Sequence, residues 1–403
     1  MLVWSDRRSV ASLRRSRIDA AKIQALTGLR LSSYFCAPKY RWLLENNDAV
    51  ASAARKGSLV LGTLDSWLLW NLSRERSILT DESTASRTLL RELHARRWSS
   101  VLCGEFGIDQ DFLAPMVPSM FFYGNLTNSA WKSPVPLYAS LVDQTASLYG
   151  NRCLAEGDIK ITFGTGAFVY VNSGAKVTTV PQGLLASVAW SDAAHVTYAV
   201  DGGVLSAGSA LEALCEQGIL SSSDEIDSLI EGLRPNGYFL PALHGLGAPW
   251  WNENARARYE PDCLSKPQRA KAVIDGIAFR VRDIVEAARR AGVEIPRRIR
   301  VDGGLTHLES LMRRQADVLG VALECGVTAE ATALGAAAMA AQAAGLPSVE
   351  LLRQLPSGKC FFPVISGAQG DKEYDGWLQF VQRCAESDTQ VAHSSALNVC
   401  DVR

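Results

Sequence analysis

Asp143 and Gln144 follow a short apolar strand and open a helix of small residues. A carboxylate at the end of a strand can accept a proton from an attacking hydroxyl, and at its ordinary pKa it is ionised near neutrality. The same aspartate equally reads as a cap for the helix behind it. A second group of residues suits an anion. The strand Ile159 to Phe163 breaks into Gly164-Thr165-Gly166 and resumes at Phe168. In such a hairpin the glycines let backbone amides approach a phosphate, and the threonine hydroxyl adds a donor; many hairpins of this kind only reverse the chain. Gly303-Gly304 at the mouth of a later strand, and the loop at Gly208, add two bare backbone edges, enough to surround one nucleotide. None of the three matches Gly-x-x-x-x-Gly-Lys-Ser/Thr or Gly-x-Gly-x-x-Gly, which leaves a phosphate-handling site of another architecture.

Several elements must position these residues. Leu2 to Trp4 reads as a strand, and Ile18 to Leu26 as an amphipathic helix ended by Gly28. Leu59 to Trp70 sets a strand against a helix starting at Thr63 or Asp65, and Asp81 reads as a cap in a polar loop. Phe112 to Phe122, with Pro115 and Pro118, reads as a surface connection before Asp143, and the turn Gly150 to Gly157 as a domain boundary. Leu184 to Trp190 and Val196 to Val200 are strand-like; from Gly202 a glycine loop is expected to turn into a helix. Ala270 to Ala291 is the clearest helix, with Val273, Ile277, Val281, Ile284 and Val285 on one face. Its Arg280, Arg282, Asp283 and Glu286 read as solvated surface. The strand Arg298 to Val301 leads into Asp302-Gly303-Gly304, a helix, the strand Val321 to Glu324 and an alanine-rich helix over Ala329 to Leu346. This order argues an α/β fold with helices packed on a sheet. From Glu386 onward the polar residues read as a frayed tail.

With 403 residues, two domains are the default. A hydrophobic share of 47% with 21% charged residues fits a globular protein. A net charge of -1 gives no electrostatic reason to expect nucleic acid or an anionic membrane as partner. The nine cysteines are scattered singly without Cys-x-x-Cys, which suits reduced thiols and argues against a zinc site. The N-terminus is charged at once and reads as no signal peptide, so the expected location is cytoplasmic. Whether the chain forms a homo-oligomer is left open by its residues.

The runs VWSDRRS, TGLRLSSYF, GTLDSWLLW, TDESTASRTLL, VDQTASLYG, FGTGAF, GLGAPWW, VDGGLTHLESLMRRQADVLG and ATALGAA, collinear to about Trp377, resemble the glycerol-kinase branch of the FGGY carbohydrate kinases. The resemblance implies an α/β, actin-like ATPase (ribonuclease H-like) fold of two domains. It divides the chain into a polyol-side N-terminal domain at residues 1–150, a nucleotide-side domain at 151–385 and the tail at 386–403. ATP and Mg2+ are the implied cofactors, and a small polyol the substrate. By the motif, Asp143 matches the catalytic base, Gln144 a contact to a substrate hydroxyl, and Phe168 a contact to the polyol carbons. Thr165 with Gly166, Gly208, and Gly303 with Gly304 match nucleotide contacts.

Departures accompany the likeness. Family members begin with an Asp-x-Gly-Thr-Thr-Ser-like turn and carry an Arg-Glu pair on the substrate hydroxyls. Neither occurs here, so the N-terminal domain is expected to be incomplete and to expose apolar surface. Glu82 stands where glycerol kinases place a substrate-facing tyrosine, Glu212 replaces an amide, and Leu308 replaces an asparagine, the last two on the nucleotide side. The expected activity is ATP-dependent phosphorylation of glycerol or a related polyol. The alternatives are a catalytically impaired binding or regulatory protein and another FGGY sugar kinase, for xylulose or gluconate.

Overall fold

The computed structural model describes residues 2–3, 6–15, 17–127, 132–326, 328 and 330–400, with side chains as far as 386. Trp4 of the expected first strand lies outside the described residues, and Leu2 and Val3 join no strand. The helix Ala20–Thr27 starts at Asp19, whose carboxylate accepts the amides of Ala21 and Lys22, and ends at Gly28 with φ 74°. It packs through Ile23 with Leu29, Phe35, Leu89, Leu90, Leu102 and Phe106 into an apolar cluster of its own. The helix Leu64–Leu72 begins after Thr63, and much of its apolar surface is exposed: Leu64, Trp67, Leu68, Trp70 and Leu72 all face solvent.

Asp81 caps a short helix, α1 (Glu82–Ser86), by accepting the amides of Ser83 at 2.7 Å and Thr84 at 3.0 Å. It also accepts the Ser119 hydroxyl at 2.8 Å, and burial pushes its carboxyl up to about 6. The stretch read as a surface connection is instead built of short strands. Met116–Val117 pairs in parallel with Thr80–Asp81, and Met120–Leu126 pairs antiparallel with Val135–Ala139. Pro115 and Pro118 flank the first of these, where a missing N–H breaks no ladder. Helix α2 (Asp143–Gly150) follows.

The centre of the molecule is a mixed seven-stranded sheet. Its strands are β1 (Ile159–Phe163), β2 (Ala167–Asn172), β3 (Leu185–Ser191), β4 (Val196–Val204), β5 (Arg298–Asp302), β6 (Ala322–Cys325) and β7 (Cys360–Phe361). Across the sheet they run β7-β6-β5-β1-β2-β4-β3. β5 is parallel to both β1 and β6, and the other pairs are antiparallel. Both faces are covered, so a strand such as β3 is buried along its whole length and shows no polar alternation. Gly202 and Gly203 lie inside β4 and not in a loop. A Cβ at Gly203 would meet the Phe168 ring at 2.9 Å, and one at Gly202 the Ile284 and Ala248 side chains at 2.8 and 2.9 Å. Packing, not turning, requires these glycines.

Helix α3 (Gly208–Glu216) leaves β4, and α4 (Lys266–Arg290) crosses the sheet. Arg280, Arg282 and Asp283 of α4 are buried, against the expectation of a solvated face. Asp283 accepts Arg280 Nη1, Trp250 Nε1 at 2.8 Å, Tyr374 Oη at 2.7 Å and Trp377 Nε1 at 3.2 Å. One carboxylate thus joins α4, the turn at Trp250 and the C-terminal helix, because elements distant in sequence cover the polar side of α4. After α5 (Glu309–Leu319) and α6 (Ala331–Ala343), the helix α7 (Gly367–Cys400) takes in most of the stretch read as a frayed tail. Among the described residues no helix is long and apolar enough to cross a membrane.

Candidate active site

Strand register assembles one polar face of the sheet. Asp302 pairs with Thr162, Thr162 with Phe168, and Phe168 with Gly203. One step along, Arg300 pairs with Lys160, Lys160 with Tyr170, and Tyr170 with Asp201. Residues two apart on a strand share a face, so β1, β2, β4 and β5 present Asp302, Thr162, Lys160, Phe168, Tyr170 and Asp201 together. Helix α2 lies on this face. Asn151, just past its end, donates to Asp302 at 2.7 Å, and Ser147 donates to the same carboxylate. Arg87, at the end of α1, donates to Asp201 at 2.8 Å and stacks its guanidinium over Phe35. Burial raises the Asp201 carboxyl, partly offset by Arg87.

Asp143 is the first residue of α2 and is exposed. The cap position belongs to Val142, and the Asp143 carboxylate accepts only the adjacent Gln144 amide, at 2.6 Å, among the contacts described. The amide of Val142 donates to Ser83 Oγ at 2.9 Å, tying the head of α2 to α1. The other end is clamped against α6. A Cβ on Gly150 would sit 2.0 Å from the Ala331 carbonyl, and one on Gly335 would sit 1.8 Å from the Ala146 carbonyl. Two glycines therefore let the helices meet backbone to backbone.

The glycine edges divide into open and occupied ones. Thr165 is exposed at the tip of its hairpin, which Gly164 closes by donating to Gly166 O at 2.8 Å. Gly166 is buried, since a Cβ there would reach Val204 O at 2.6 Å. The amides of Ala207 and Gly208 donate to the carbonyls of Thr165 and Gly164, both at 2.9 Å. Gly208 is thus a close-packing residue and not the free phosphate donor expected of it; its Cβ would press on Gly164 O at 2.7 Å. Gly303 has φ 96° and would place a Cβ 2.3 Å from Phe163 O. This contact sets the Gly303-Gly304 loop beside the hairpin, at the carboxyl ends of the adjacent parallel strands β1 and β5, where open α/β sheets bind ligands. Gly304 is exposed, with open space around it.

Glu212 is exposed on α3, one turn beyond Gly208. Glu82 is buried, bonded to Arg96 Nε at 2.6 Å and 3.5 Å from Arg91 Nη2. Arg96 is itself fixed by the carbonyls of Asp192 and Ala193. Leu308, expected on the nucleotide side, instead lies in the main core with Leu311 and Met312. Four charged residues of the polar face (Lys160, Asp302, Arg87 and Asp201) were not singled out from sequence. The lysine left a signal, since a cation in the apolar strand IKITF shares its face with Thr162.

The FGGY carbohydrate-kinase N-terminal domain model matches residues 1–150 and the corresponding C-terminal domain model matches residues 159–344. The chain belongs to the FGGY family of carbohydrate kinases. This FGGY kinase is 34% identical over 391 residues to a glycerol kinase of Paraburkholderia phymatum, covering 94% of this chain and 78% of that one. It is 35% identical over 408 residues to a glycerol kinase of Halorhodospira halophila, covering 98% and 80%. Among solved structures, Plasmodium falciparum glycerol kinase with ADP superposes with a TM-score of 0.87 at 28% identity, over 95% of this chain and 78% of that one. A xylulose kinase of Lactobacillus acidophilus superposes at 0.80 with 19% identity, over 97% and 79%, a likeness of fold alone. The two-domain α/β fold expected from sequence is the fold these kinases share.

Proposed function

We propose that this FGGY kinase phosphorylates glycerol, or a closely related polyol, at a terminal hydroxyl with ATP as phosphoryl donor. The identity to glycerol kinases over nearly the whole chain, with an exposed Asp143 at the head of α2, carries this reading.

Asp143 accepts the proton of the terminal hydroxyl as its oxygen displaces ADP from the γ-phosphorus in line. Gln144 holds a second hydroxyl, and Phe168 lies along the carbon chain. The half-buried ring is backed by Gly203, where any side chain would displace it. The ATP phosphates fit the edge formed by Thr165 and the Gly303-Gly304 loop, where one exposed hydroxyl and one unobstructed backbone stand side by side. Gly166 and Gly208 shape this edge from behind, and Glu212 lies further along it. Glu82 supports the substrate side from within its arginine pair. Among the described residues no cluster of three acidic, histidine or cysteine side chains forms a metal cage. Mg2+ binds through one or two carboxylates plus substrate phosphates, so most of its ligands would arrive with ATP. When bound, the ion neutralises charge on the phosphate oxygens. Protein groups supply positioning and a proton acceptor.

The test is ATP consumption by the purified chain with glycerol, dihydroxyacetone, xylulose and gluconate in parallel. Glycerol or dihydroxyacetone is expected to give the highest kcat/KM. Turnover confined to xylulose or gluconate would reassign the substrate, and no turnover with any of the four would favour a binding role.

A further inference from the structure

Lys160 projects from β1 into the buried side of α2 and is completely enclosed. Its ammonium reaches Gln144 Oε1 at 2.9 Å, Ser147 Oγ at 3.1 Å, Thr162 Oγ1 at 2.5 Å and the Gln144 carbonyl at 3.5 Å. Thr162 in turn donates to Asp302 at 2.5 Å. A continuous polar chain thus runs from the residue preceding Gly303-Gly304, through Lys160, to the residue following Asp143.

The direction of each bond matters. An ammonium has hydrogens and no lone pair, so the Gln144 atom facing it is the amide oxygen. The Gln144 NH2 group is then turned the other way and makes no hydrogen bond among the described residues. A glutamine free to flip would present either its donor or its acceptor end to a ligand, whereas this one presents donors only. Burial of the cation is offset by Asp302 through Thr162, and removing either charge would strand the other.

We propose that Lys160 is a positioning residue for substrate recognition, locking the Gln144 amide so that its NH2 group donates to a hydroxyl oxygen of the polyol. This rests on the polyol-kinase reading and adds to it a residue that never touches substrate. It acts on polyol affinity through Gln144, and ATP affinity is not its target.

The experiment is a double-mutant cycle on the full chain, using Gln144→Ala, Lys160→Met and the pair, with KM for glycerol and for ATP measured on each. Lys160→Met is expected to raise the glycerol KM about tenfold, the worth of one well-placed hydrogen bond, and to leave the ATP KM within about twofold. The double variant is expected to match Gln144→Ala. Effects on the glycerol KM that multiply, or a loss shared equally with ATP, would overturn the proposal. Because Lys160→Met strands Asp302 and can fail to fold, Gln144→Glu provides a second test. It keeps an oxygen toward Lys160 but removes the donors, so glycerol affinity is expected to fall as far as in Gln144→Ala. Wild-type affinity in Gln144→Glu would overturn the proposal even if Lys160→Met cannot be purified. A wild type inert toward every polyol would overturn the parent reading as well, whereas an active wild type with a multiplicative cycle overturns the lysine's role alone.

Discussion

Replacing Gly335 by alanine tests whether the helix carrying Asp143 is held in place by backbone contact with α6. The added Cβ would lie 1.8 Å from the Ala146 carbonyl, where real Cβ contacts essentially never fall below 3.0 Å, so the two helices must part by at least 1.2 Å. Two effects oppose each other. Alanine favours the helical state by about 1 kcal/mol over glycine, while forcing extra volume between packed elements costs about 1–3 kcal/mol. The second wins here, because the clashing atom is a carbonyl in the middle of α2 and has no rotamer to change. A displacement of about 1 Å at a catalytic group is worth on the order of a hundredfold in rate. Gly335→Ala is therefore expected to lower the thermal midpoint and to reduce the kcat of glycerol-dependent ATP consumption about a hundredfold. Gly104→Ala is the control. It sits in the helix Ser100–Phe106 with nothing within 4 Å of its Cβ position, so it is expected to stabilise by about 0.5–1 kcal/mol with unchanged kcat. A Gly335→Ala variant with wild-type kcat and midpoint would refute the reasoning.

Two further perturbations probe the polar joints. Arg87 and Asp201 join α1 to β4 with side-chain exposures of 18% and 5%, so Arg87→Met leaves a buried carboxylate alone and is expected to cost about 3 kcal/mol at pH 7 by urea unfolding. The unpaired Asp201 can relieve itself only by protonation, so this loss should shrink towards pH 5 and be largely recovered in Arg87→Met/Asp201→Asn; additive losses would count against the pairing. Asp81 carries a raised folded-state pKa of about 6. Its unfolded form releases the proton first, so its contribution to stability is most favourable below pH 4 and falls as pH rises towards 6. Wild type is accordingly expected to lose up to about 3 kcal/mol relative to Asp81→Asn over that range, and a pH-independent difference would contradict the assignment.

Local signals were read well and distant partnerships were not. The Gly-Thr-Gly hairpin was legible because β1 and β2 each keep a strand pattern and the glycines mark the reversal between them. The end of the first long helix at Gly28 was legible because only a left-handed residue finishes it there. Gly202 and Gly203 were misread as a loop because nothing nearby in sequence reveals that Phe168, Ile284 and Ala248 crowd them. Arg280 and Asp283 look solvated in sequence because Ala248, which accepts from the first, and Trp250, Tyr374 and Trp377, which donate to the second, stand tens of residues away. At the proposed site, Asp143 and Gln144 are picked out by their own motif, and both stand at the head of α2. Lys160 leaves only the hint of a cation in an apolar strand, and its role and that of Asp302 take shape only when α2 is laid across the sheet.

The most direct measurement compares wild type with Asp143→Asn for glycerol-dependent ATP consumption, with ADP binding by calorimetry as the control for an intact nucleotide side. Asparagine keeps the shape but cannot take a proton, so kcat is expected to fall by about 10²–10⁴ with ADP affinity unchanged. An Asp143→Asn enzyme that turns over glycerol at the wild-type rate would contradict the account.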